Sequence, residues 1–221
     1  MMLEGHVGPV VVADGNDQQI RQAKDSALVV TDAHGRFYEA ASRGQVFSGM
    51  TAVAGTTVVA ANNTPVAAGA ASILSLYNPL GSTVYIELLK TFLMLVSGTP
   101  AAGAYVYNTA FNQNITATQN NGNSSGAAPQ SNVASGAAGI GKIFTQTALT
   151  GSGAQVLLRP VGIAPFAGAI AATSAGLIIT DVSDGDIVLP PGGLLTIASP
   201  GTGTTQVVAA GFEWNEVKQP G

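Results

Sequence analysis

The chain has 221 residues, with eight Lys and Arg against twelve Asp and Glu, a net charge of −4 and no Cys. Charged residues make up only 9% of it, against about a quarter in an average soluble domain. The absence of a Lys/Arg cluster argues against nucleic acid as a partner, and the absence of Cys excludes disulfides and thiolate metal sites.

The charges are concentrated at the start of the chain. Half of them lie in the first 45 residues. We therefore predict an extended N-terminal arm with a short hairpin over residues 1–48, which gains its order from neighbouring chains, and a single domain over 49–221. The stretch 51–180 has four charged residues, namely Glu87, Lys90, Lys142 and Arg159. Its surface is expected to be polar and uncharged, or covered by other chains.

The remaining elements follow a strand-and-turn rhythm. Short runs of Val, Ile, Thr and Leu lie between frequent Gly and Pro, which predicts an all-β fold. The predicted strands are 27–31, 35–40, 56–60, 73–77, 83–89, 104–108, 142–146, 155–158, 176–180, 186–189, 194–198 and 206–216. The apolar segment 84–96 also fits a short helix, but alternation of Val84, Ile86 and Leu88 favours β structure.

Residues 108–139 interrupt this rhythm. They contain seven Asn, many Gly, Ser and Ala, and few large apolar side chains. Ordering the backbone costs about 1–2 kcal/mol per residue, which this segment cannot offset by its own burial. We predict a long loop inserted in the domain, or an excursion packed by other chains.

Several turns and faces can be assigned locally. Pro79 removes a backbone donor where a strand ends, and Gly81 provides flexibility for the return. The run 190–193, Pro-Pro-Gly-Gly, predicts a stop and reversal. Near the C-terminus, Phe212, Trp214 and Glu216 are expected to share one strand face, with Trp214, the only Trp, as a packing anchor.

Two patterns suggest ligand chemistry. Residues 136–142 match the phosphate-loop spacing GxxxxGK, but Ile143 stands where a Mg²⁺-binding Ser or Thr is needed, so we interpret the match as a coincidence. Asp181, Asp184 and Asp186 could gather oxygen ligands for calcium. The favoured interpretation is a hairpin turn in which Asp184 and Gly185 adopt positive φ. We therefore predict no metal and no cofactor.

No catalytic constellation is predicted. His6 and His34 both lie in the charged arm, and no Gly-x-Ser-x-Gly elbow accompanies them. Glu213 and Glu216 are three residues apart in one strand, so their carboxylates point to opposite faces. The N-terminus lacks the basic start and long apolar run of a secretory signal, and segment 84–96 is too short to span a bilayer. We expect a soluble, non-enzymatic protein.

Three segments together resemble a known family. These are "DAHGRFYEAASRGQVFSG" (32–49), "LSLYNPLGSTVYIELL" (74–89) and "DGDIVLPPGGLLTIASPGTGTTQVVAAGFEWNEV" (184–217). In their order they resemble the jelly-roll capsid decoration, or cement, proteins of tailed bacteriophages. The resemblance is absent from the Asn-rich insertion. It implies a homotrimer on the outer capsid surface of a virion that clamps neighbouring major capsid proteins.

Site residues follow from the arm and from the turns. The residues expected to contact the capsid are Arg21, Lys24, Arg36, Tyr38, Glu39 and Arg43. Those expected to pack in the core or between trimer subunits are Tyr77, Pro79, Phe212 and Trp214. An alternative function is a head-fibre or receptor-binding protein whose Asn-rich loop contacts host glycans. A weaker alternative is a carbohydrate-active enzyme on a β sandwich.

Overall fold

A computed structural model describes residues 36–58, 67–98, 103–122, 124–132, 137–164, 178–199 and 206–219. The chain divides into two units, Met1–Tyr38 and Glu39–Gly221. The described part of the first unit is limited to residues 36–38, and the second unit contains every described strand. Within the described ranges no helix is long and apolar enough to cross a membrane.

The described elements are one short helix and thirteen strands. They are α1 Tyr38–Ser42, β1 Val46–Met50, β2 Thr56–Thr57, β3 Leu74–Tyr77, β4 Val84–Ser97, β5 Gly103–Ala110, β6 Asn120–Asn121, β7 Ser124–Ser125, β8 Gln130–Ser131, β9 Lys142–Phe144, β10 Val156–Ala164, β11 Ile178–Leu189, β12 Leu194–Ala198 and β13 Val207–Lys218. Eight of these, β1, β3, β4, β5, β10, β11, β12 and β13, have four or more residues.

The strands form two sheets. Sheet 1 has the order β11-β4-β13-β1-β8, with β2 also paired to β13, and sheet 2 has the order β10-β5-β12-β3-β9-β6-β7. All the strand pairs are antiparallel except β6 with β9. The predicted all-β sandwich is confirmed, and segment 84–96 is a strand as the alternation favoured.

The main core lies between the inner faces of the two sheets. Strand β13 illustrates why these residues form strands, since every second side chain from Val208 to Glu216 is buried. Phe212, Trp214 and Glu216 share the inner face, as predicted. Trp214 is fully buried, and its ring stacks on that of Phe47 with centroids 6.3 Å apart.

The strand predicted for 35–40 is wrong. The described residues of this stretch form a turn and the beginning of α1. Two alanines give the short sequence a helical preference that outweighs the aromatic residues before it. Gly44, with φ 70°, ends the helix because the N–H groups of Gly44 and Gln45 donate to helix carbonyls, as in a Schellman motif.

The hairpin turn predicted at Asp184 and Gly185 is also wrong. Strand β11 continues along β4 through both residues, with Val182 opposite Lys90 and Ile187 opposite Leu88. Residues 183–186 therefore face a single residue of β4 and form a large bulge. Asp184 and Gly185 do adopt positive φ, 50° and 87°, so the local conformation was predicted and its consequence for the chain path was not.

Two other turns match their predictions. Gly81 has φ 83° and follows Pro79 at the end of β3. At the second turn, the Gly193 N–H donates to the Pro190 carbonyl at 2.7 Å, and Gly192 has φ 77°. That positive φ needs glycine in this type of turn. The predicted strand 27–31 lies outside the described residues.

The segment between β5 and β10 covers the outer side of sheet 2. Ile115, Phe144 and Leu149 from this segment form a second hydrophobic cluster with Tyr77, Ala110 and Leu194. The Asn120 side chain accepts from the Thr145 N–H at 2.7 Å and donates to its carbonyl at 2.8 Å. Amide side chains thus supply backbone-like pairing where large apolar side chains are scarce.

The first strand overlaps the predicted N-terminal arm. Strand β1 begins inside the region 1–48, so Val46–Met50 is part of the sandwich.

Candidate functional site

An apolar groove of about 610 Å³ lies on the outer face of sheet 1. Its flanks are exposed apolar side chains, which are Met50, Phe92, Met94 and Ile178. The floor is formed by the small residues Ala209 and Gly211 of the central strand β13. None of the described residues that line the groove is charged. An exposed apolar groove of this size is typical of a binding surface.

Strand register explains why the groove exists. Gly211 lies opposite Met50 on one side and opposite Phe92 on the other. A Cβ atom at Gly211 would lie 3.4 Å from Met50 Cβ and 3.9 Å from Phe92 Cδ2. These are ordinary contacts, so the missing side chain leaves space that a small residue could fill without strain.

One rim of the groove belongs to the insertion. Asn121, Gln130 and Asn132 line it. The Asn121 amide oxygen accepts from the Met50 N–H at 2.9 Å, and Asn132 bonds to Ser48 at 2.7 Å and to Glu213 at 3.1 Å. The insertion is therefore attached to sheet 1 by these amides, which leaves less of their hydrogen-bonding capacity for a ligand.

A second apolar surface lies along β10, an edge strand of sheet 2. Val156, Leu157 and Leu158 are consecutive and all exposed, and Ile163 is 64% exposed. These consecutive exposed residues lie at the first bulge of β10, between Leu157 and Arg159, whereas Val161 further along the strand is buried in the main core. A long apolar edge strand is an aggregation hazard unless a partner covers it or the edge is protected.

A polar cluster joins the two sheets near this edge. The Arg159 guanidinium donates to Asp181 at 2.9 Å and to Ser183 at 3.0 Å. The Tyr107 hydroxyl lies 2.9 Å from Asp181 Oδ2 and 2.6 Å from Thr91 Oγ1. Burial raises the pKa of Tyr107 well above its usual range. The cluster holds a neutral phenol and an ion pair together, and it clamps β10 and β5 to β11 and β4.

The acidic residues considered for calcium belong partly to this cluster. Asp186 lies 3.6 Å from the Arg159 guanidinium, which also binds Asp181. The Arg159 guanidinium therefore lies between the Asp181 and Asp186 carboxylates, where the sequence suggested a calcium ion. Across the described ranges, no group of three or more His, Cys, Asp or Glu is arranged to hold a metal ion.

The structure places some of the residues predicted to contact a capsid. Arg21 and Lys24 lie outside the described residues, as do His6 and His34. Tyr38 is half-exposed and begins α1, and the ion pair between Glu39 and Arg43 joins two exposed side chains four residues apart. Arg36 stacks its guanidinium over the Phe37 ring, 5.3 Å from the centroid. The capsid role of these residues stays a prediction.

The predicted packing residues occupy different environments. Tyr77, Phe212 and Trp214 are buried, and Pro79 is half-buried at the turn after β3. The Tyr77 hydroxyl donates to the Gln113 carbonyl at 2.8 Å, so Tyr77 holds the insertion against sheet 2. The side chains of Phe212 and Trp214 pack inside one chain, and a trimer contact by Pro79 stays a prediction.

The two remaining motifs have structural positions. Lys142 begins strand β9 instead of a helix, so the glycines before it do not lead to the helix N-terminus that a phosphate loop requires. Glu216 is buried on the inner face of β13 and Glu213 lies on the outer face, as predicted. Their carboxylates do not converge.

Sequence reasoning missed the groove and the exposed edge. The signal for the groove was present in β4, where Phe92 and Met94 alternate with the buried Leu93 and Leu95. That pattern reveals a strand with apolar residues on both faces. The position of the small residues Ala209 and Gly211 beside them could not be inferred without the strand order.

Comparison of the chain with family models, curated proteins and solved structures finds no match.

Proposed function

We propose that this protein is a non-enzymatic structural protein of a tailed-phage virion. In this proposal it is a capsid decoration, or cement, protein that binds the outer capsid surface as a homotrimer. It clamps neighbouring major capsid proteins against the pressure of the packaged DNA. The proposal combines the sequence resemblance with surfaces suited to assembly.

The observation that carries the proposal is the amount of exposed apolar surface on a charge-poor sandwich. The groove on sheet 1 and the β10 edge present Met, Phe, Leu, Ile and Val side chains to solvent. Monomeric soluble proteins rarely expose large contiguous apolar patches. Such surfaces support a function in which other chains cover the apolar side chains.

Strand order supports a jelly roll as the finer fold. When the eight strands of four or more residues are numbered along the chain, sheet 1 contains them in the order 6-3-8-1 and sheet 2 in the order 5-4-7-2. The first strand pairs with the last, the second with the seventh, the third with the sixth and the fourth with the fifth. This is the pairing of one long hairpin rolled into two sheets, as in jelly-roll capsid and lectin domains.

The mechanism we propose is additive burial. An obligate interface often buries about 2,000 Å² or more, so many copies on one particle resist internal pressure even if each contact is modest. The arm is expected to reach over adjacent capsid subunits with Arg21, Lys24, Arg36 and Arg43. Charged residues at the periphery of an interface, such as these, affect the association rate more than the affinity.

The test is a comparison of particles with and without the protein. Particles that lack it should adsorb to host cells normally but release DNA at a lower temperature or at low salt, where packaged phosphates repel over a longer Debye length. A chain truncated before Gly44 should stay folded but fail to decorate such particles. Sturdy particles that adsorb poorly would instead support the receptor-binding alternative.

The glycan-binding alternative has weaker support. It depends on the Asn-rich insertion as a ligand-binding loop. The side chains of Asn120, Asn121 and Asn132 make hydrogen bonds within the chain. Deletion of residues 112–135 that abolishes adsorption, while thermal resistance stays intact, would favour this alternative.

A further inference from the structure

We propose that copies of this chain associate head to tail, with the β10 edge of one copy packed into the apolar groove of the next. This inference rests on the proposed function, which requires self-association, and it names the two surfaces that meet. The occupant of the groove is thus a second copy of this chain, and the contact is heterologous.

The β10 edge needs a cover that is not another hydrogen-bonded strand. Pro160 has no N–H to offer to a neighbouring strand. The pairing of β10 with β5 is also interrupted twice, between Leu157 and Arg159 and between Pro160 and Gly162. Bulges and Pro are the devices by which edge strands avoid strand addition. The exposed side chains of Val156, Leu157 and Ile163 must therefore be covered by side-chain packing.

The groove matches this edge in chemistry. Its described lining has no charged residue and presents Met, Phe, Ile, Ala and Gly, and a charged partner segment would lose its hydration there without a counter-charge. The exposed part of β10 is aliphatic. Its one charged residue, Arg159, has its guanidinium turned to Asp181 and Asp186. Aliphatic side chains on an uncharged floor need no compensating ion pair.

A contact between the groove of one copy and the edge of another is more favourable than a contact between two grooves or between two edges. The groove is recessed over Ala209 and Gly211, so two grooves placed face to face would enclose an empty space. Two β10 edges are unsuited to pair with each other, because Pro160 and the two interruptions of the strand oppose strand addition. The groove opens on the outer face of sheet 1 and the edge belongs to sheet 2, so the two surfaces are formed by different strands. A contact between different surfaces of identical chains forms a ring when its rotation closes.

Two variants test the contact by disabling one surface each. Gly211→Leu fills the groove, because a Cβ atom is accommodated there and the longer side chain extends between Met50 and Phe92. Leu157→Asp places a charge on the exposed edge. The matched control is Val53→Asp, which changes an 86% exposed residue outside both surfaces. Size-exclusion chromatography with light scattering gives the mass of each protein relative to the 22.0 kDa chain.

The expected result is complementation. Wild type and Val53→Asp should run at a multiple of the chain mass, and each surface variant alone should run as a monomer. An equimolar mixture of the two variants should form a dimer of one chain each, since one intact edge and one intact groove remain. Equal urea midpoints for Gly211→Leu and Leu157→Asp, each measured alone, would show that both substitutions preserve the fold. If Gly211→Leu fails to fold, Met94→Asp in the same groove replaces it.

Other outcomes would overturn the inference. Assembly of Leu157→Asp alone would point to a groove-to-groove contact, and assembly of Gly211→Leu alone to an edge-to-edge contact. If both variants assemble as wild type but Gly211→Leu no longer decorates particles, the groove binds the capsid protein, and the proposed function stands without this inference. A monomeric wild-type chain would refute this contact and the trimer, while the particle-stability comparison would still test decoration.

Discussion

The buried carboxylate of Glu216 offers a sharp test of how residues 140–141, directly after the insertion, are attached to the sandwich. Its oxygens accept from the Gly141 N–H at 2.8 Å, the Ile140 N–H at 3.0 Å and the Trp214 indole N–H at 3.1 Å. The side chain is almost fully buried. Glu216→Ala would remove one acceptor group and leave two buried donors, the Gly141 N–H and the Trp214 indole N–H, without a partner. The third donor, the Ile140 N–H, belongs to a residue that is 40% exposed and can bond to water.

The size of the effect follows from these two buried donors. A buried donor left without an acceptor costs about 1–3 kcal/mol, so the lower bound for two is roughly 2 kcal/mol. The assay is urea denaturation at a fixed protein concentration, because the proposed self-association would contribute to apparent stability. We expect the free energy of unfolding to fall by that amount, with an unchanged dependence on urea concentration.

Glu213→Ala is the matched control on the same strand. Glu213 lies on the outer face, 3.8 Å from the Lys90 ammonium, and such partly exposed pairs contribute about 0–1 kcal/mol. The expected loss is therefore within about 1 kcal/mol. A loss for Glu216→Ala no larger than that for Glu213→Ala would refute the view that this carboxylate holds residues 140–141 in place.

Three further predictions follow from individual side chains. Gly49→Ala should destabilise the fold by about 1–3 kcal/mol, because its Cβ atom would lie 2.4 Å from Ile143 Cγ1; Gly211→Ala should change the urea midpoint little, and equal losses for both would contradict the packing. Burial raises the pKa of Tyr105 to about 12, so the stability that its neutral phenol contributes should be present below about pH 10 and lost as pH rises towards 12. Tyr105→Phe should lose less stability over that range in urea melts, and an equal loss would contradict this. Calcium should not raise the melting temperature, and a rise of several degrees that Asp184→Ala abolishes would contradict the prediction that Asp181, Asp184 and Asp186 bind no metal.

Much of the fold could be predicted because its causes are local. Alternation in a strand is set by neighbouring residues, so the inner face of Phe212, Trp214 and Glu216 was readable from the sequence. Turns such as 190–193 were equally readable, since Pro fixes φ and Gly permits a positive φ. Where a local preference was misread, as at 35–40, the alanines and the glycine cap had more influence than the aromatic residues.

Only the tertiary structure decided what the strands do together. The positive φ of Asp184 and Gly185 is compatible with a turn or a bulge, and the long pairing of β11 with β4 selects the bulge. The groove depends on Met50, Phe92 and Gly211 becoming neighbours on three adjacent strands. Strand order and register are set by burial over the whole sandwich, because a slip of one residue would turn every inner side chain outward. Composition therefore determined a charge-poor β protein, whereas the long-range pairing of strands determined where its apolar surfaces lie.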